Sequence, residues 1–168
     1  AKMVLVVIYN REKDYDKALA VLKDLHSRYP RNFLLELAKG SIHQRKKEWG
    51  PASEVYRSVL SKVETDQDNY GRLEVDSVLF KIGELNVHGF DTNGLSLEGA
   101  VDAFEKIVMS NQAGDDLKGR SHLWMGKIFD SQNERYKALE HYSSVLVLDC
   151  SDVLKREASG YRRRPFKG

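Results

Sequence analysis

Cysteine, proline and long apolar segments are scarce in this sequence, and each shortage excludes a class of structure. The single cysteine, Cys150, excludes an intramolecular disulfide and cannot by itself form a structural zinc site. The only three prolines, Pro30, Pro51 and Pro165, can all stand at helix boundaries, so long helices are left uninterrupted. The longest run without charge or strong polarity, residues 3–9, is much shorter than the roughly 20 residues that span a membrane. This excludes a transmembrane helix and predicts no membrane insertion.

The charge balance is close to neutral, with a net charge of +2 and 31% charged residues. Such a balance indicates no overall attraction to nucleic acid or to an anionic membrane. The length of 168 residues and the apolar fraction of 41% predict one water-soluble domain, 1–168, with a continuous core. Residues 3–9 also lack the small-residue cleavage pattern of a secretory signal, and the sequence leaves a cytoplasmic and a periplasmic location open.

A period of 34 residues is the main feature of the first half of the chain. Six positions recur with mostly similar size and polarity: Val6, Tyr9, Tyr15, Ala18, Leu22 and Leu25 become Gly40, His43, Trp49, Ala52, Tyr56 and Val59. The pairing of a small residue with a later aromatic returns as Gly83 with Phe104 and as Gly126 with Tyr142. A fixed period of this length predicts a stacked array of helix pairs.

The spacing of apolar residues three and four apart predicts that these pairs are helical. The predicted helices are 2–11 with 14–28, 33–46 with 50–63, 72–88 with 97–111, and 116–131 with 134–148, followed by a ninth at 151–161. The repeats are therefore about 1–30, 33–64, 72–111 and 116–149, and a capping helix and basic tail occupy 151–168. Residues 3–9 are rich in β-branched side chains and also suit a strand, although the repeat register favours a helix.

Two stretches interrupt the regular spacing. Residues 64–71, between the second and third repeats, are polar and rich in turn formers, and residues 88–94 form an insertion within the third repeat. Insertions in helical arrays are displaced to loops, often on a working face, but loop drift without a function is favoured here.

The repeated residues resemble the tetratricopeptide repeat family over nearly the whole chain. The fourth repeat carries the resemblance best, with Gly126 and Phe129 in its first helix and Ala138 and Tyr142 in its second. The small residue lets two helices approach while an aromatic side chain fills the remaining space. Departures are Val6 in place of a small residue and Asn86 in place of an aromatic. The resemblance implies an all-α fold, a right-handed α-solenoid of stacked antiparallel helix pairs.

The same resemblance implies where a partner binds. Ligands of this family usually lie along the concave surface formed by the first helix of each pair. The corresponding positions in this sequence are Asn10, Arg11, Ser41, Gln44, Arg45, Glu84, His88, Arg120, Trp124, Lys127 and Asp130. This is a mixed polar surface, and it lacks the Lys and Asn set with which some family members clamp the acidic C-termini of chaperones.

Catalytic and metal-binding patterns are missing from the sequence. The five histidines have no metal-ligand spacing, and there is no phosphate-binding glycine loop or nucleophile elbow. His43 is predicted to be a packed or hydrogen-bonded core residue, and Asp115 and Asp116 to begin a helix, where carboxylates meet the positive end of its dipole. The sequence thus predicts no enzyme activity, no catalytic residue, no metal and no cofactor.

Three functions are compatible with these patterns. The favoured one is a scaffold that binds a peptide or protein segment in the concave groove. The alternative is self-association into a homo-oligomer through the apolar first helix and the repeat ends, and because that helix lacks cover we also expect the chain to be part of a longer protein. Nucleic-acid contact through Arg162, Arg163 and Arg164 is favoured less, since a frayed tail explains these residues as well.

Overall fold

The structure is a computed structural model that describes residues 2–70, 73–92 and 94–167. These residues form ten helices and no strand. The helices are α1 (Lys2–Arg11), α2 (Tyr15–Arg28), α3 (Phe33–Arg45), α4 (Trp49–Thr65), α5 (Gln67–Tyr70), α6 (Val75–His88), α7 (Leu97–Met109), α8 (Asp115–Ser131), α9 (Arg135–Val147) and α10 (Asp152–Arg163). Each of the nine predicted helices is present, residues 3–9 are helical, and only α5 was not predicted.

Neighbouring helices pack in consecutive pairs, with α1 on α2, α3 on α4, α6 on α7 and α8 on α9. Each pair then packs on the next, and α10 covers α9 and part of α8. This arrangement confirms the predicted α-solenoid of stacked helix pairs. A right-handed twist stays a prediction. None of the helices in the described ranges is long and apolar enough to cross a membrane.

The core consists of four local clusters, each shared by neighbouring helices. The first joins α1, α2 and α3 around Ala18 and Ile42. The others surround Tyr56 between α4 and α7, Phe104 between α6 and α8, and Tyr142 between α8 and α10. Each pair is therefore stabilised mainly by its immediate neighbours, as is typical of repeat arrays.

The repeated glycines lie directly against the repeated aromatic rings. A Cβ atom on Gly40 would lie 2.6 Å from Cε1 of Tyr56, and one on Gly83 would lie 2.5 Å from Cε1 of Phe104. A Cβ on Gly126 would likewise overlap the ring of Tyr142. These distances explain why the chain pairs a residue without a side chain with a ring in the following helix.

The polar connection at 64–71 is more ordered than its composition predicts. Helix α4 continues to Thr65, and the short α5 ends at Tyr70, whose side chain is buried. The Tyr70 hydroxyl donates to Oε1 of Glu36, and Lys62 Nζ donates to the second oxygen of the same carboxylate at 2.7 Å. A single tyrosine therefore anchors the described part of this connection to α3, and Gly71 lies outside the described residues.

The insertion after α6 is tied to the core by Asn86, the residue that departs from the family pattern. The Asn86 side chain is buried, donates to the Ile82 carbonyl at 2.9 Å and accepts from the Ser96 N–H at 3.0 Å. An aromatic ring at this position could not make both bonds. The departure thus has a structural reason, since the amide fixes the end of the insertion against α6.

Candidate functional site

The first helices of the third and fourth repeats, α6 and α8, present charged side chains to each other. Arg120 of α8 lies with Nη2 3.9 Å from Oε1 of Glu84 on α6. Its guanidinium carbon also lies 4.2 Å from the centroid of the Phe80 ring. Half of the Arg120 side chain, 49%, remains exposed. The ion pair is therefore loose, and the guanidinium keeps donors available for another molecule.

An aromatic group lies next to this pair and connects three repeats. His88, at the end of α6, stacks on Trp49 of α4 with ring centroids 6.0 Å apart. On its other side it meets Trp124 of α8 edge to face, at 5.8 Å. Trp124 in turn lies parallel to the buried Phe104 ring at 6.5 Å. His88 is exposed, so the group offers an apolar surface with a polar edge.

Tyr56 of α4 connects the two helices of the second repeat. Its hydroxyl donates to Oε1 of Gln44 at 3.4 Å, while its ring fills the space beside Gly40. Burial raises the pKa of Tyr56 above its usual value, and the negative charge of Glu84 raises this pKa further. Ser41, one turn before Gln44 on α3, is partly buried. Tyr56, predicted only as core packing, thus also bonds to Gln44 of α3.

Lys127, also predicted to face the groove, is largely enclosed by its own chain. Its Nζ donates to Oε1 of Glu157 at 2.8 Å, and only 15% of its side chain is exposed. The same ammonium lies 5.0 Å from the Trp124 ring, 5.3 Å from Tyr161 and 5.6 Å from Phe166. Lys127 therefore connects α8 to α10.

Asp130 is enclosed more completely, with 1% of its side chain exposed. Its oxygens accept from Nη1 of Arg135 at 2.9 and 3.0 Å, from the Tyr142 hydroxyl at 2.9 Å and from the Phe166 N–H at 2.8 Å. Burial and the hydrogen bond to Asp130 raise the pKa of Tyr142. Asp130 thus connects α8, α9 and the C-terminal segment, and its position suits an internal anchor.

The remaining predicted site residues lie on the first two repeats. Arg11 and Arg45 are exposed at the ends of α1 and α3. Asn10 is partly buried, and its Oδ1 has no hydrogen-bond partner among the described residues. His43, predicted as a core histidine, lies with Nδ1 2.6 Å from Oε2 of Glu48, so it is partly buried and hydrogen-bonded as expected.

A cleft beside His88 and Trp124 is lined in part by residues that were not predicted from the sequence. It lies where α6 ends and α8 runs past the insertion, and its volume is about 690 Å³. Its lining residues are Val87, His88, Phe90, Leu97, Trp124, Lys127, Ile128, Ser131, Gln132 and Phe166. Phe90 belongs to the insertion that interrupts the third repeat, and this interruption is a feature of the sequence from which Phe90 could have been selected. Phe166 lies outside the repeat pattern, and only the fold brings it here.

A pair of histidines lies between α8 and α9. Nδ1 of His122 is 3.0 Å from Nδ1 of His141, and the His141 ring stacks on Phe129 at 5.3 Å. Burial, together with the neighbouring His141, lowers the pKa of His122 to about 4, and burial also lowers the pKa of His141. Within the described ranges, no group of three or more His, Cys, Asp or Glu residues could hold a metal ion.

The fold defines an all-helical repeat protein whose neighbouring helices pack in consecutive pairs. A family model, the tetratricopeptide repeat, matches residues 5–32. That match and the ten-helix architecture fit a helical repeat protein of the tetratricopeptide type. Repeats of this type generally mediate protein–protein interaction and are typically not enzymes. No curated protein matches the chain.

Proposed function

We propose that this chain is a non-enzymatic scaffold that holds a peptide or protein segment along the inner faces of α3, α6 and α8. We call this surface the inner groove, and its central residues are Ser41, Gln44, Glu84, His88, Arg120 and Trp124. The observation that carries the proposal is that side chains of two successive first helices, α6 and α8, meet there beside Trp49 of α4. Arg120 of α8 lies 3.9 Å from Glu84 of α6, and His88 of α6 contacts both Trp124 of α8 and Trp49.

The chemistry of the inner groove suits an extended segment. The half-exposed Arg120 can donate to a carboxylate or to backbone carbonyls of a partner, and Gln44 and Ser41 can bond to its backbone. The His88 and Trp124 rings can cover an apolar side chain. Arg11 and Arg45, with Asn10, would extend the groove towards the first repeat, while Lys127 and Asp130 would support its other end.

A selection from a displayed library of random peptides tests this proposal. Peptides selected on the wild-type chain are expected to bind the double variant Arg120→Glu and Trp124→Ala about tenfold or more weakly. Arg57→Glu is the matched control, because Arg57 is an exposed arginine on the second helix α4. If the double variant binds the selected peptides as well as the control does, the inner groove is not the binding surface.

Self-association through α1 is the second candidate, and a specific observation favours it. Only Val6 of α1 is buried, whereas Met3, Val4, Leu5, Val7 and Ile8 are 41% to 60% exposed. An apolar helix face of this kind is typical of an interface. Sedimentation at increasing concentration distinguishes the candidates: a dimer that disappears in the Val4→Lys and Val7→Lys variant would support this one.

A further inference from the structure

We propose that the C-terminal segment 164–167 is a replaceable occupant of the cleft at the end of α8. In this view the cleft is a site for an extended segment with an aromatic side chain, and the chain's own Phe166 occupies its margin until a partner displaces it. The inference rests on the proposed function, because the cleft shares His88, Trp124 and Lys127 with the inner groove or its edge.

Phe166 is held as a bound peptide residue would be held. Its backbone N–H donates to Oδ2 of Asp130 at 2.8 Å. Its ring meets Tyr161 edge to face at 5.5 Å and lies 5.6 Å from the Lys127 ammonium. The Asp130 carboxylate thus accepts one backbone hydrogen bond, and the Lys127 ammonium lies over one aromatic ring. Any extended segment with an aromatic residue could make the same two contacts.

The rest of the segment contributes little to its attachment. Arg164, Pro165 and Lys167 are exposed, and Phe166 is only partly buried. The backbone is already extended at Arg164, with φ −136° and ψ 123°, after the last turn of α10. By contrast α10 has its own attachments, since Arg135 Nη2 donates to the carbonyls of Tyr161 and Arg162 at 2.7 and 2.8 Å. The segment can therefore leave while α10 stays in place.

Phe166 leaves most of the cleft open. The volume of about 690 Å³ lies beside its ring, bordered by Leu97, Trp124 and the 54% exposed Phe90. A partner that carries an aromatic residue could fill both the position of Phe166 and this apolar space, and would bury more apolar surface than the tail does. The chemical class that fits is an extended segment with one aromatic anchor.

The test uses the 168-residue chain and a labelled peptide with the sequence Tyr-Arg-Arg-Arg-Pro-Phe-Lys-Gly, which is that of residues 161–168. Fluorescence anisotropy is expected to show that the Phe166→Ala chain binds this peptide about tenfold more tightly than the wild type, whose own tail competes. The same peptide with alanine in place of phenylalanine should bind about tenfold more weakly. Absence of binding to a folded Phe166→Ala chain, or equal binding of both peptides, would overturn the proposal.

A second measurement does not depend on the variant folding. In the wild-type chain, the Phe166 amide should exchange with solvent deuterium through local opening, faster than the amide of the buried Tyr142 in α9. Equal protection of the two amides would mean that the tail opens only with the whole domain, and the proposal would be wrong.

The failure of this proposal and that of the inner groove are distinguishable. Adding Arg120→Glu to the Phe166→Ala chain should leave the affinity for the labelled peptide within about twofold, because the Phe166 contacts do not include Arg120. Library peptides that bind the inner groove while the labelled peptide fails to bind would overturn only the tail proposal. A larger effect of Arg120→Glu on the labelled peptide would also count against a separate cleft.

Discussion

At the scale of single residues, the repeat signature is a steric rule with a measurable cost. Gly126→Ala adds a Cβ atom that overlaps the Tyr142 ring, and we expect a loss of about 1–3 kcal/mol in the free energy of unfolding. Gly160→Ala is the control, because α10 leaves open space around Gly160. Alanine there should stabilise the helix by up to about 1 kcal/mol. Urea denaturation of both variants measures the contrast, and equal effects would contradict the steric explanation.

The buried histidine pair predicts a dependence of stability on pH. Because burial lowers the pKa of His122 to about 4 while an unfolded histidine titrates near 6.5, the unfolded chain binds more protons between these values. The free energy of unfolding should therefore fall as the pH is lowered from about 6.5 towards 4, and His122→Gln should make this fall shallower.

Urea denaturation at several pH values between 4.5 and 7 measures the effect of the pair. His26→Gln is the control, since His26 is exposed on α2 and should leave the slope unchanged. If His122→Gln keeps the wild-type slope, the pair does not control the acid stability of the fold.

At the scale of elements, three carboxylates near helix starts accept hydrogen bonds from the connection that follows their repeat. Glu36 near the start of α3 accepts from Tyr70, and Asp76 at the start of α6 accepts from the Ser110 hydroxyl at 2.8 Å. Asp115 at the start of α8 accepts from the Asp149 N–H, also at 2.8 Å. These carboxylates thus connect the second, third and fourth repeats to the connection that follows each of them, and of the three only Asp115 was predicted to lie where a helix begins.

The connection through α5 provides a test of this role. Tyr70→Phe removes the hydroxyl donor from the buried Glu36, and we expect a loss of roughly 1–2 kcal/mol in the free energy of unfolding. Tyr29→Phe, at a tyrosine that is 59% exposed, should change it little. Thermal or urea unfolding checks both variants, and a Tyr70→Phe chain as stable as the wild type would show that α5 needs no such anchor.

At the scale of the whole molecule, stability should vary along the array. Each helix pair is stabilised mainly by its neighbours, and α1 contributes only Val6 to the buried core, whereas α8 and α9 lie between α7 and α10. We expect amides of α1 to exchange with deuterium faster than those of α9, because arrays of this kind open from their ends. Hydrogen exchange followed by mass spectrometry measures this gradient, and uniform protection would show that the array unfolds only as one unit.

Much of the fold was predictable because its determinants are local. Apolar spacing identifies each amphipathic helix, and the pairing of Gly126 with Tyr142 has the same separation along the chain as that of Gly40 with Tyr56. The surroundings of the predicted site residues were not predictable from the same register. The register selects positions on the first helices. It cannot show that the Asp130 carboxylate accepts hydrogen bonds from Arg135, Tyr142 and Phe166, or that the Lys127 ammonium lies over the Tyr161 ring.

The helices, their pairing and the close approach of glycine and ring thus follow from the sequence, because hydrophobic period and side-chain size act between residues that are neighbours along the chain or one repeat apart. Three contacts emerge only in the folded molecule: the hydrogen bond of Tyr70 to Glu36, the contact of His122 with His141 and the hydrogen bond of Phe166 to Asp130. These contacts involve side chains outside the periodic pattern. Their partners depend on how the stacked pairs and α10 pack against each other. The repeat period does not specify that packing.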